Sequence, residues 1–146
     1  MNKNSIIETV RSFDGALVFQ PKPGSGYPEI SWGDAYFYYA PDGAMPQRTQ
    51  PYGTIITKNY PDDIASALDA PGRFRVNVNA GRDAVAALAT GGDPAASDVF
   101  VPHPLYASAG WVAVVNPGEQ TSRSLIELLR LAHAAAHRRA ERRSEA

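Results

Sequence analysis

Residues 73–79 read Arg73-Phe74-Arg75-Val76-Asn77-Val78-Asn79, an unbroken alternation of polar and apolar residues. Side chains on a strand alternate between its two faces with period two. Phe74, Val76 and Val78 therefore share one face, and Arg73, Arg75, Asn77 and Asn79 share the other. The apolar row belongs to a core. The polar row has three available destinations: plain solvent, a phosphate backbone, or one side of a small-molecule site.

Such a strand needs partners, and the flanking sequence supplies them. Ala16-Leu17-Val18-Phe19 reads as a strand. Trp32 to Tyr39 is the densest aromatic stretch, with Asp34, Tyr36 and Tyr38 on one strand face and Ala35, Phe37 and Tyr39 on the other. Gly53 to Lys58 is a β-branched strand, and Trp111 to Val115 is another, ended by Asn116-Pro117-Gly118. Phe37, Tyr39 and Trp111 are expected in the core.

Helical signals lie between and around the strands. Ser5 and Glu8 fit a capping box ahead of Ile6, Ile7 and Val10, in a helix ending near Gly15. Asp62 to Leu68 is expected to form a short helix. Gly81 to Ala89 is a second, with Val85 and Leu88 inward, broken by Gly91-Gly92-Asp93-Pro94. The last helix is expected to start between Thr121 and Ser124, with a second possible capping box at Ser124–Glu127. It runs to about Arg139 with an apolar stripe of Leu125, Leu128, Leu129, Ala132 and Ala136. Residues 102–106, Pro-His-Pro-Leu-Tyr, form a stiff irregular segment. Strands interleaved with short helices predict a single α+β domain over residues 1–140. Its two layers are a mostly antiparallel sheet and flanking amino- and carboxyl-terminal helices. Residues 141–146 form a charged tail.

Composition narrows the chemistry. The chain has 146 residues, 44% hydrophobic and 20% charged, enough for one packed core. It contains no cysteine, which removes disulfides, thiolate ligands and a thiol nucleophile. The amino terminus lacks a signal-peptide pattern and no apolar run is long enough to span a bilayer, so a cytoplasmic protein is expected. Net charge is -1, which opposes strong nonspecific DNA binding. Residues 1–122 carry 8 Lys and Arg against 12 Asp and Glu, whereas residues 123–146 carry 6 against 3.

Several stretches together carry a resemblance. Phe74–Val78, then residues 102–116, then the helix containing Leu125–Arg139, resemble the MmcQ/YjbR-like superfamily. Residues 32–43 (WGDAYFYYAPDG), 51–61 (PYGTIITKNYP) and 68–78 (LDAPGRFRVNV) resemble a family of unknown function with the same architecture, DUF6194. The resemblance covers nearly all of the chain after Gly15. It implies a compact α+β fold, sometimes called a double wing, for which DNA binding has been inferred from shape. It also implies that Trp111 sits on a central strand after a tight Gly110 connection, as Tyr106-Ala-Ser-Ala-Gly110-Trp111 matches the Tyr-x-x-x-Gly-Trp pattern. Lys58, Asn77, His103 and Tyr106 fall at characteristic positions of the family. The resemblance implies no catalytic role for any of them.

The residue pattern itself suggests one concavity rimmed by Trp32, Asp34, Tyr36, Tyr38, Lys58, Tyr60, Arg75, Asn77, His103 and Tyr106. Ligand sites combine apolar walls with a few oriented polar groups. Asp34, Lys58 and Asn77 equally fit an ordinary structural network. His103, fixed between two prolines, fits either a loop-shaping role or a proton-transferring one. His133 and His137 have the i, i+4 spacing of zinc ligands, but neither the glutamate of HExxH nor a third ligand accompanies them. No metal and no cofactor is expected, and no P-loop, dinucleotide fingerprint or nucleophile elbow is present.

The leading expectation is a noncatalytic protein binding a small aromatic or polar organic molecule, or a peptide. The alternative is a nucleic-acid-binding accessory protein using Arg73, Arg75 and Arg82, or the arginines of the last helix. A third is a small enzyme pairing His103 with Asp34 or Lys58. A monomer or homodimer with no membrane contact suits each.

Overall fold

The computed structural model describes residues 1–145 and forms an α+β domain. Six strands build one antiparallel sheet: β1 (Ala16–Phe19), β2 (Ala35–Tyr39), β3 (Gly53–Ile56), β4 (Arg75–Asn79), β5 (Phe100–Pro102) and β6 (Trp111–Val115). Their order is β1-β2-β3-β4-β6-β5, which puts β4 near the middle. The helices are α1 (Lys3–Arg11), α2 (Arg82–Leu88) and α3 (Ser122–Glu145).

Register divides the sheet into two faces. Val76 of β4 pairs with Ile55 and Val114, and Val78 with Gly53 and Val112. With Ala35, Phe37 and Phe100 these residues form the face covered by Ile6, Ile7 and Val10 of α1 and by Leu125, Leu128, Leu129 and Ala132 of α3. Val76 and Val78 are wholly buried, and each contributes about 2 kcal/mol by leaving water. The other face carries the row Tyr36-Thr54-Asn77-Ala113-Val101, each residue paired with the next across neighbouring strands. The segments 57–74 and 103–110 border that row.

Two glycines are required by geometry. A Cβ on Gly53 would lie 2.9 Å from the Phe37 ring and 3.3 Å from Leu129, so only glycine lets α3 reach the sheet here. Gly110 has φ +93° and its Cβ would meet the Gly81 backbone at 3.0 Å. It closes the turn in which the Trp111 amide donates to the Tyr106 carbonyl.

Several local expectations are corrected. Asn2, not Ser5, caps α1. Its side chain accepts from the Ser5 amide while Ser5 Oγ accepts from the Asn2 amide, and the helix ends at Arg11. Residues 62–68 form turns rather than a helix. The loop's groups are taken by other partners: the Leu68 amide donates to Asn59, Arg73 donates to the carbonyls of Ser66 and Ala67, and Ala67 has φ +54°. Leu88 faces outward. β2 begins at Ala35 and β3 ends at Ile56, where the Thr57 amide turns to the Asp34 carboxylate. β4 begins at Arg75, leaving Arg73 and Phe74 before it. The three-residue β5 was not anticipated. α3 begins at Ser122, within the expected interval, so Ser124 lies inside the helix rather than at its cap, and the helix continues to Glu145, past Arg139. Asp98 satisfies its entry by accepting from the amides of Gly118, Gln120 and Thr121 and from Thr121 Oγ1. Those hydrogen bonds outweigh burial and hold the Asp98 carboxyl below its ordinary pKa. No helix among the described residues is long and apolar enough to cross a membrane.

Candidate functional site

The polar side of β4 floors a cavity of about 480 Å³. Arg75 and Asn77 rise from β4 and Thr54 and Ile56 from β3. Tyr36 of β2 and Tyr60 stand on one side. On the other are His103, Leu105, Tyr106 and Ala109 of the 103–110 segment, with Trp111 of β6. Gln50, Pro51, Asp62 and Asp63 complete the lining. β2 and β6 are three strand spacings apart, roughly 14 Å, so the aromatic groups occupy two ends of an elongated space.

Arg75 is 1% exposed, yet its charge is matched. Nη1 donates to Asp63 Oδ1 at 2.9 Å and Nη2 donates to Asp63 Oδ2. Nη1 also donates to Ser66 Oγ and Nε to Asn77 Oδ1 at 2.8 Å. The Arg75 hydrogen bonds hold the Asp63 carboxyl below its ordinary pKa. Because Asn77 Oδ1 faces Arg75, its Nδ2 is the group that donates to Thr54 Oγ1 at 3.0 Å. The amide orientation is thereby fixed, with a second Nδ2 hydrogen still to place.

His103 is 5% exposed at the junction of Pro102 and Pro104. Its Nδ1 accepts from the amides of Leu105 at 3.0 Å and Tyr106 at 3.2 Å. The ring thus holds the turn that carries Tyr106. Burial, with Arg75 alongside, lowers the imidazole pKa to about 4, so the ring is neutral at physiological pH.

Behind the tyrosine end lies a second buried network. Asp34 is fully buried. Oδ1 accepts from the Thr57 amide and hydroxyl and from Lys58 Nζ at 3.1 Å, and Oδ2 accepts from the Tyr60 hydroxyl. Lys58 Nζ also donates to the Trp32 carbonyl at 2.8 Å. Burial and the bond to Asp34 push the Tyr60 hydroxyl pKa up, and burial raises that of Tyr36. The carboxylate orients Tyr60 without itself lining the cavity.

Of the residues proposed from sequence, the fold brings Tyr36, Tyr60, Arg75, Asn77, His103 and Tyr106 to this one cavity. Trp32, Asp34, Tyr38 and Lys58 are not among its lining residues. Asp63, Thr54 and Leu105 were not singled out, and Trp111, expected in the core, forms part of the wall. A buried arginine demands an acid, and Asp62-Asp63 was the sequence signal for it, obscured by the helical reading of that segment.

The arginines expected to meet phosphate from this strand are committed elsewhere. Arg75 serves Asp63, Ser66 and Asn77, and Arg73 holds the carbonyls of Ser66, Ala67 and Ala95. His103 makes no hydrogen bond to Asp34 or Lys58, so the expected acid–base pairing is not formed. His133 is structural: Nδ1 pairs with the Tyr52 hydroxyl at 3.0 Å and Nε2 with the Asp14 carbonyl at 2.7 Å. His137 stacks on Tyr39 and pairs with Glu141.

One family model matches residues 1–145, that of a family of unknown function (DUF6194). No curated protein and no solved structure matches the chain.

Proposed function

We propose that this chain, which belongs to the DUF6194 family, is a noncatalytic protein that binds a small polar or aromatic organic molecule on the β4 face. The observation that carries this reading is the 480 Å³ cavity floored by buried Arg75 and Asn77. Its size falls in the range of small-molecule sites, and its make-up, aromatic walls with a few fixed polar groups, is theirs as well. Arg75 is locked by Asp63 and Ser66, Asn77 by Thr54, and one hydrogen bond from Arg75 Nε to Asn77 Oδ1 joins them, so the polar groups are preorganised and little ordering opposes binding. The Tyr106-to-Trp111 turn and the antiparallel sheet also support the wider MmcQ/YjbR-like relationship, which we propose at the level of fold alone.

A thermal-shift screen of water-soluble metabolites tests the binding reading. A ligand for the folded protein raises Tm by mass action. Tyr106 is half exposed at the rim, so Tyr106→Ala leaves the fold intact. The expected result is a hit whose shift shrinks in Tyr106→Ala. Silence across the screen, or hits indifferent to Tyr106, would overturn the reading.

A further inference from the structure

We infer that the ligand of this cavity is an uncharged molecule with a hydrogen-bond acceptor, of the amide, lactam or ring-carbonyl class, whose oxygen sits against His103 Nε2 and Arg75 Nη2. This rests on the binding reading above and narrows it.

A neutral imidazole has one acceptor nitrogen and one N–H. Two backbone amides point at His103 Nδ1, so Nδ1 is the acceptor and Nε2 carries the hydrogen. The neighbour of Nε2 is Arg75 Nη2 at 3.3 Å. A guanidinium nitrogen has no lone pair to offer, so this contact sets donor against donor. The other tautomer only moves the problem, because both backbone amides then lose their acceptor. Imidazolium has no acceptor at all. In every protonation state the surroundings of this ring hold at least one donor without an acceptor, and an acceptor from outside the chain would supply it.

The rest of the floor has the same polarity. Asn77 Nδ2 has one hydrogen on Thr54 and a second to place. Arg75 Nη2 has one hydrogen on Asp63 and a second directed to the His103 side. A ligand carbonyl oxygen can serve these donors in place of solvent at little cost in hydrogen bonding.

Charge then selects among acceptors. Arg75 is neutralised by Asp63, and His103 is neutral. Asp62 adds a negative charge at the rim, and among the described residues no further Lys or Arg lines the cavity. With the Arg75–Asp63 pair already neutral, a carboxylate or phosphate would meet the Asp62 charge with no free cation in exchange. An uncharged carbonyl uses the same donors without that opposition. His103 sits beside Tyr106 and Trp111, with ring centroids 4.8 and 6.5 Å away. A flat ring attached to the carbonyl therefore finds aromatic contact at this end.

Four matched probes separate the possibilities: benzamide, benzoate, benzylamine and toluene. They are titrated to about 10 mM, where fragments of ordinary efficiency begin to saturate. Binding is followed by the Trp111 indole signal and by the His ring nitrogens in 15N NMR. Benzamide is expected to bind tightest, to shift His103 Nε2, and to weaken roughly fivefold in His103→Asn. That variant keeps an acceptor where Nδ1 stands, so the Leu105 and Tyr106 amides remain capped, and it lacks the Nε2–H. Toluene binding as well as benzamide, or benzoate binding better, would overturn the acceptor or the charge argument while leaving a binding cavity in place. Benzamide binding unchanged in His103→Asn would remove His103 from the contact. If none of the four binds while the metabolite screen gives Tyr106-dependent hits, this inference fails and the binding reading stands; silence in both experiments removes the two together.

Discussion

Arg75 and Asp63 meet in a two-point ion pair beneath the cavity, Nη1 donating to Oδ1 at 2.9 Å and Nη2 donating to Oδ2. Arg75 belongs to a central strand and Asp63 to the loop that borders the cavity, so the pair anchors the loop to the sheet. Removing one partner of a buried pair leaves an uncompensated charge, whereas removing both is far cheaper. Asp63→Asn is expected to cost about 3 kcal/mol in urea unfolding, and adding Arg75→Met to recover most of it. A double variant as unstable as the single one would show that the charge is not the source.

Acid should destabilise the fold in two phases. His103 has a folded pKa of about 4, against roughly 6.5 unfolded. As pH falls the unfolded chain takes the proton first, so stability is intact above about 6.5 and declines toward 4, by at most about 3 kcal/mol. Asp63 works at lower pH. Its folded pKa is depressed by the Arg75 hydrogen bonds, so its contribution is present above its unfolded pKa, about 4, and is lost below. Unfolding free energies measured from pH 7 to 3 should show both phases, and His103→Asn should flatten only the first.

Asp34 and Tyr60 differ in what their loss leaves behind. Tyr60→Phe deletes one of four donors to Asp34 and should cost about 1 kcal/mol. Asp34→Ala strands Lys58 and the Thr57 amide together and should cost about 3 kcal/mol or more. Equal costs in denaturant titrations would contradict the view of Asp34 as the hub.

Gly53→Ala tests the packing of α3. The added methyl meets Phe37 and Leu129 below contact distance, and overpacking of this kind costs about 1–3 kcal/mol. Leu129→Ala should relieve part of the clash, so the two changes should be non-additive in unfolding experiments.

Much of the fold is legible in period-two patterns. The RVNVN segment, WVAVV and AYFYY each have one face that must be buried, and register follows from that demand. The apolar stripe of α3 is equally plain. What failed depended on partners distant in sequence. The segment 62–68 looks helical until Asp63 is claimed by Arg75 and the loop backbone by Arg73 and Asn59. The entry to α3 is satisfied by Asp98, more than twenty residues away. Six residues lining the candidate cavity were legible because they lie on strand faces, beside a proline, or in the proline-bounded segment 102–106. Trp111 was misread because large aromatics on central strands usually belong to cores, and nothing local says that its face is open to a cavity.

The most direct test of the account uses Trp32→Phe, which leaves Trp111 as the single tryptophan in the chain. Its fluorescence is titrated with the hits of the metabolite screen. The account predicts a saturable change for an uncharged carbonyl-bearing ligand, with affinity weakened by Tyr106→Ala and by His103→Asn. A Trp111 signal unmoved by ligands that stabilise the protein would place their binding elsewhere and contradict the claim that the polar row of β4 is the floor of the site.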